Sequence, residues 1–319
     1  MSRLAVLLFP LLSIFVGLIA AEHPVESFRQ TVGPAIMMAA DTNPAVRDST
    51  GRLIVVSWNI HVGNGDVVSL IDRISSFEHA QGNGDPAIVL LLQESVRQSS
   101  DIPKSSGFSV PGRIARSEDK PDIAALARKL GWWMYYAPSM RNGDGAGELA
   151  EDRGNAILSS LPLQSVDPVE LPFSVQRRVA LVATVADTRM QPLLRVAVTH
   201  FDTRAPLTKG WIFGGPRARN KQASALLASL DEYETDGLPL IVGGDLNSYL
   251  GSKSVIQNMS TAAPHMDCGD KPTHTMGLTL DHMFVNVPAA WAHSCRREDD
   301  SFGSDHYPLV LSVNIPASL

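Results

Sequence analysis

The sequence predicts an α/β (α+β) fold in which two packed β-sheets are covered by helices. Three observations carry this. Strand-like segments outnumber helical ones. Several strand-like runs, Ala87 to Leu92 among them, are apolar throughout and therefore ask for burial on both faces. The 319-residue chain is also 44% hydrophobic and 19% charged, enough to build one large core. That composition excludes a disordered chain. Two cysteines exclude a disulfide scaffold. A single long apolar run excludes a multispan membrane protein.

That run is the first element. Leu4 to Ala21 is apolar apart from Ser13 and follows Arg3, which suggests residues 1–21 are an export signal, or a membrane anchor if uncleaved. Either outcome puts the rest outside the cytoplasm, secreted, periplasmic or membrane-anchored. Residues 22–51 mix Pro24, Gly33, Pro34 and Pro44 with small polar residues and are expected to be a linker or loosely attached arm. No second boundary follows residue 52, so 52–319 is expected to be one domain.

Leu53 to Trp58 is a β-branched apolar run and predicts a strand. Asp66 offers an N-cap to a helix with Val67, Leu70, Ile71, Ile74 and Phe77 on one face. Ala87 to Leu92 predicts a central strand. Pro121 suits a first helical turn, and Ile123 to Leu130 runs helically until Gly131. Trp132 to Ala137, Gly154 to Ser159, Val179 to Ala186 and Leu193 to Phe201 are strand-like. A helix over about 217–230 places Ala223, Leu226, Leu227 and Leu230 together. Leu238 to Val242, Leu280 to Val285 and Tyr307 to Val313 complete the strands.

Polar residues stand repeatedly at the ends of these strands. Asn59, Glu94, His200, Asp245 and Asn247 each follow an apolar run, Asp281 interrupts one, and Asp305-His306 precedes the last. An acid or amide there is costly unless it is hydrogen-bonded, paired or bound to a cation. Glu94, Asp245, Asp281 and Asp305 are hard oxygen donors suited to Mg²⁺ or Mn²⁺ rather than zinc, with Ca²⁺ as a further candidate. His200 and His306 can move protons. The set suits metal-assisted attack of water on a phosphoryl group, and no Ser or Cys stands in a nucleophile motif. The net charge of −6 argues against a protein gripping nucleic acid by overall charge, but not against a local metal-bearing site.

In order along the chain stand SWNIH (57–61), LLQES (91–95), GNAILSS (154–160), VTHFD (198–202), GGDLNS (243–248), LDHMF (280–284) and GSDHYPL (303–309). The series resembles the endonuclease/exonuclease/phosphatase superfamily, which has a DNase I-like fold. The resemblance implies a four-layer α-β-β-α sandwich with two mixed sheets. It implies Glu94 as principal metal ligand, Asn59 beside that metal, and Asp305 as a residue that can help hold it. Asp245 would position or activate water, Asn247 would contact phosphate, and His306 would pair with Asp281 as base or phosphate stabiliser. His200 would bond to phosphate or leaving-group oxygen. His282 departs from the pattern, and as a strand neighbour of Asp281 it should face away.

Bland alternatives stand beside some of these. His200 also suits a satisfied core histidine. Asn155 either orients the site or caps a turn. Arg178 and Arg204 either reach phosphate or are solvated charges. His61, His274, His282 and His293 are taken as structural or surface residues. Trp132, Trp133, Tyr135 and Tyr136 should alternate between core and surface. Cys268 and Cys295 flank the Asp281 strand and are expected to pair in an exported protein. The resulting expectation is an exported, monomeric, Mg²⁺-dependent phosphodiesterase of nuclease type. The alternatives are a sphingomyelinase-like lipid phosphodiesterase and an inactive binding protein on the same fold. Substrate choice would lie in the loops at 97–120, 140–153 and 204–219.

Overall fold

The computed structural model describes residues 24–40, 51–104, 112–117, 120–143, 149–203, 211–233, 236–248 and 253–316. The expected export segment and Arg204 lie outside them. The chain forms α1 (Pro24–Arg29), β1 (Ile36–Met38), β2 (Arg52–Asn59), α2 (Val67–Ala80), β3 (Ala87–Ser99) and α3 (Ile123–Leu130). There follow β4 (Trp133–Arg141), β5 (Ala150–Ser159), β6 (Leu163–Leu171), β7 (Arg178–Ala186), β8 (Pro192–His200) and α4 (Trp211–Asp231). The last elements are β9 (Leu240–Asp245), α5 (Lys253–Met259), β10 (Asp281–Asn286), β11 (His293–Arg297) and β12 (Leu309–Asn314). They make a seven-stranded sheet, β1-β4-β5-β3-β2-β12-β11, and a five-stranded one, β10-β9-β8-β7-β6.

Each sheet is mixed, with one parallel pair: β2 with β3, and β8 with β9. A parallel pair needs a crossover, and α2 and α4 supply the two. The cap of α2 is Asp66, whose side chain accepts from Ser69 N at 3.1 Å. In α3 the cap is Asp122, so Pro121 lies just before the helix rather than in its first turn. Gly131 ends that helix at φ 66°, a conformation glycine tolerates.

Strand alternation builds the layers. Leu53, Val55, Val89 and Leu91 meet Leu181, Ala183, Val196, Val198 and Ile241 between the sheets. The intervening Ile54, Val56, Ile88 and Leu90 face Leu70 and Ile74 of α2 and Leu126 of α3. On the other outer face Val182, Ala197, Val242 and Phe284 meet Ala223, Leu226 and Leu230 of α4 with Val255 of α5. The result is the four-layer α-β-β-α sandwich. Because β4 is covered on both faces, Tyr135 and Tyr136 are both buried, against the expected core-surface alternation. At Gly243 the sheets approach so closely that a Cβ would come within 2.7 Å of Ser57.

Residues 24–40 correct the expected loose arm. β1 pairs antiparallel with β4 at the edge of the larger sheet. Gly33 N donates to Asp152 at 3.0 Å, and Arg97 donates to Pro34 O at 2.7 Å. Arg29 of α1 pairs with Glu170 of β6, in the other sheet, at 3.1 Å. Cys268 and Cys295 are disulfide-bonded, tying the segment before β10 to edge strand β11.

Candidate active site

The carboxyl ends of both parallel pairs open on one rim, where open α/β sheets bind ligands. Register fixes part of it. Asp245 sits opposite His200 on β8 and opposite Asp281 on β10, so three strands present three functional residues in one row. From the other sheet, Asn59 at the end of β2 donates from Nδ2 to Asp245 Oδ2 at 3.1 Å. Its Oδ1 accepts from His61 N at 3.0 Å, so this amide is held at both ends.

His306 is the hub. Its Nδ1 lies 2.8 Å from Asp281 Oδ2, and its Nε2 lies 3.8 Å from Asp245 and 3.9 Å from Asp305. Ser304 Oγ holds the turn by donating to Asn59 O and accepting from His306 N. Trp58 Nε1 donates to His306 O at 2.9 Å. Burial opposes charge on this imidazole, but Asp281, then Asp245 and Asp305, win and push its pKa up to about 10. His306 is therefore a cation at neutral pH. Asp245 is displaced the other way from a normal acid. Burial raises its pKa to about 7, with Asp281 adding to the rise and His306 and Asn247 opposing it. His200, 3.5 Å from Asp245, is held neutral, first by burial and then by Arg178, His306 and Arg153.

Two side chains sit in uncommon backbone. Glu94 has φ 54° within the β3 bulge between Leu92 and Ser95, and Asn247 has φ 47° just after β9. A non-glycine residue in this region costs roughly 1–3 kcal/mol and persists only where its surroundings impose it. Asn247 is fixed by its N–H on Asp245 Oδ1 at 2.8 Å and its Nδ2 on Phe201 O at 3.0 Å.

The surroundings of Asp305 were missed in the sequence. His61 Nδ1 lies 2.9 Å and His274 Nε2 3.6 Å from Asp305 Oδ2. The His274 ring stands edge-on to His306 with centroids 4.6 Å apart. Both histidines were expected to be structural or surface residues. His274 Nδ1 accepts from Met276 N at 3.0 Å, so its neutral ring carries the hydrogen on Nε2. It donates toward Asp305 and offers no lone pair there. His282 faces away as expected, bonding Ser248 at 2.9 Å and His265 at 3.0 Å.

The oxygens suit a hard cation. Ligand atoms of Asp245, Asp281 and His306 lie within 4.8 Å of one another, as do those of His274, Asp305 and His306. The tautomer of His274 and the protonated ring of His306 leave the carboxylates as the donors of both groups. Asp281 Oδ1 and Asp305 Oδ1 are buried without a hydrogen-bond partner among the described residues. Such orphaned carboxylate oxygens, beside an acid already pushed toward protonation, fit a divalent metal. Glu94 belongs to neither group. It lines an adjacent cleft of about 180 Å³ with His200, Asn155, Arg178, Arg153 and Ile114. Asn155 is spent within the fold, donating to Val179 O at 2.7 Å. Arg178 is buried and bonds Asp202 at 3.4 Å. Of the expected site residues, Asn59, His200, Asp245, Asn247, Asp281, Asp305 and His306 are thus linked by direct contacts, while Glu94, Asn155 and Arg178 join them through the cleft.

Similar proteins share this architecture. The human Nocturnin catalytic domain, solved with a bound sulfate anion, superposes with a TM-score of 0.52 at 18% identity, over 88% of this chain and 98% of that one. An endonuclease/exonuclease/phosphatase from Beutenbergia cavernae gives 0.52 at 21% identity, over 83% and 72%. One from Bacteroides vulgatus gives 0.51 at 14%, over 83% and 99%. These likenesses show the fold alone. No curated protein matches the chain. The sequence profile of the Endonuclease/Exonuclease/phosphatase family, however, matches residues 56–306, from β2 through His306, and the chain belongs to that family.

Proposed function

We propose that the protein is an exported, divalent-metal-dependent phosphodiesterase of nuclease type. The observation that carries this is the Asp281–His306 pair beside a protonation-prone Asp245 at the mouth of the cleft. Glu94, Asp245 and Asp305 carry oxygens that would hold Mg²⁺ or Mn²⁺. Bound there, the cation offsets charge growing on the phosphate oxygens. Deprotonated Asp245 accepts the proton of the attacking water, with Asn59 and Asn247 fixing its two oxygens. Cationic His306, held by Asp281, donates from Nε2 to a phosphate or leaving-group oxygen. His200, neutral and against Asp245, adds a hydrogen bond without competing for the water's proton. Export is supported by the apolar segment Leu4 to Ala21 and by the Cys268–Cys295 disulfide, a bond that persists in oxidising compartments.

The test is a panel of plasmid DNA, RNA, sphingomyelin and a chromogenic diester, each with Mg²⁺, Mn²⁺ or Ca²⁺, with EDTA as control. Turnover of a nucleic acid or simple diester that EDTA abolishes is expected. His306→Ala and Glu94→Gln should each cost at least about a hundredfold in kcat with melting unchanged. Full Mg²⁺-dependent activity in either variant would refute the site.

A further inference from the structure

His282 departs from the family pattern and points away from the site, yet both its ring nitrogens are bonded. On β10, Met283 and Val285 face the core between the sheets and Phe284 faces the helical layer. Alternation therefore gives Asp281 the site's face and His282 the outer one. There the buried His282 meets Ser248 Oγ at 2.9 Å through Nε2 and His265 Nε2 at 3.0 Å through Nδ1. His265 is tied to the same strand by its bridge to Phe284 and by Met266 N donating to Met283 O at 2.8 Å. The ring of His282 is thus oriented from one side and grips a hydroxyl with the other.

That hydroxyl belongs to the residue after Asn247. The register of β9 on β10 pairs Asp245 with Asp281, and Leu246 N continues it by donating to Leu280 O at 2.9 Å. Extended further, the same register would carry Ser248 opposite Leu278. The left-handed backbone of Asn247, φ 47°, turns the chain back instead, and Ser248 meets His282 on the other side of Asp281. Asn247 therefore stands between two anchors on β10. Its bonds to Asp245 Oδ1 and Phe201 O hold it from the front. A left-handed non-glycine residue persists only where its surroundings impose it, and the Ser248–His282 bond closes the turn from behind. We propose that His282 and Ser248 are positioning residues: their bond on the outer face of the sheet holds Asn247, and through it the Asp245 carboxylate, in place for the phosphate on the inner face. This rests on the phosphodiesterase reading above and adds to it two residues that touch neither substrate nor metal.

Hydrogen exchange and turnover separate the two claims, and the first needs no activity. Amide exchange by NMR on the full protein in EDTA follows the Asn247 N–H, which is bonded to Asp245. In Ser248→Ala, and in His282→Phe, which keeps the bulk of the ring, that amide should exchange at least about tenfold faster, with the amides of β9 unchanged. With Mg²⁺ and whichever diester the native protein turns over, kcat should fall about tenfold in each variant while KM stays within about twofold. The double variant should lose no more than either single one, because both remove the same bond. His282→Gln, whose amide can stand where Nε2 stands, should recover most of the loss. His282→Asn, which reaches only toward His265, should not. Unchanged exchange at Asn247, or faster exchange with kcat intact, would overturn the proposal. Additive losses would overturn it too, by making the two residues separate supports of the fold. Faster exchange in a protein that turns over none of the diesters would keep the anchor and sink the hydrolase reading instead.

Discussion

His306 illustrates how a residue's chemistry is made by its partners. Its charge survives burial because Asp281 stands 2.8 Å from Nδ1. If the cationic form is the active one, activity falls as pH rises through its pKa, near 10. Asp281→Asn removes the first of its charged supports and leaves burial unopposed by it. The alkaline limb of kcat should then move down by at least about one pH unit, a shift worth about 1.4 kcal/mol. A limb that stays in place would show that another group sets it. The pair was legible in the sequence because LDHMF and SDHYP each carry a recognisable acid or histidine. His61, although it closes the SWNIH segment, and His274, which lies in none of the seven segments, were not. What selects them is Asp305, reached through a left-handed backbone at His61 (φ 46°) and a turn in which Met276 N–H fixes the His274 tautomer. Such a role is created by folding and leaves no local pattern.

Among elements, the strands missed in the sequence have a common cause. β1, β6 and β11 are edge strands, lying at the ends of the sheet orders. An edge is only partly covered, so it lacks the apolar run that betrays a central strand, and it is where polar residues and proline collect. β6 carries Pro168 and buries only its two end residues, and β11 reads HSCRR with none buried. The central strands β2, β3, β7 and β8 were legible because both faces are covered. The segment leading into β1 matters most, because it completes a buried network. Asp152 accepts from Gly33 N, from Tyr136 OH at 2.8 Å and from the Arg97 guanidinium, which in turn donates to Pro34 O. Deleting residues 1–40 would strip two backbone partners from this pair and uncover the β4 edge. Each buried polar group left unmatched costs about 1–3 kcal/mol. The melting temperature should fall by at least about 5 °C. An unchanged melt would mean that residues 24–40 are only draped over the sheet.

Over the whole molecule, two features link stability to surroundings. The disulfide closes a separation of 27 residues, which in the chain-entropy model stabilises by about 3 kcal/mol. Reduction should therefore lower the melting temperature by roughly 6–12 °C, and a Cys268→Ser, Cys295→Ser variant should show the same loss and no further response to reductant. The second feature is the group of acids, Asp245, Asp281 and Asp305, gathered around His306. Asp245 has its folded pKa raised from the ordinary 3.8 to about 7. A raised pKa means that the fold favours the protonated form. Its contribution is complete below the unfolded value and is lost as pH rises through the folded one. His306, also raised, contributes fully below its ordinary 6.5 and loses that contribution as pH rises from there to about 10. From about pH 4 to about pH 6.5 the metal-free protein should therefore lose stability through Asp245 with the contribution of His306 intact, and above that it should lose the contribution of His306 as well. A divalent cation reverses the local sign, replacing the proton as the partner of the carboxylates. At a hundredfold excess over Kd it stabilises by about 2.7 kcal/mol. Mg²⁺ or Mn²⁺ should thus raise the melting temperature more near pH 8, where Asp245 is free to bind, than near pH 5, where a proton must first leave. Calorimetry in buffers of different ionisation heat should detect that proton on binding at the lower pH. An equal thermal shift at both, with no proton released, would mean that Asp245 takes no part in holding the metal.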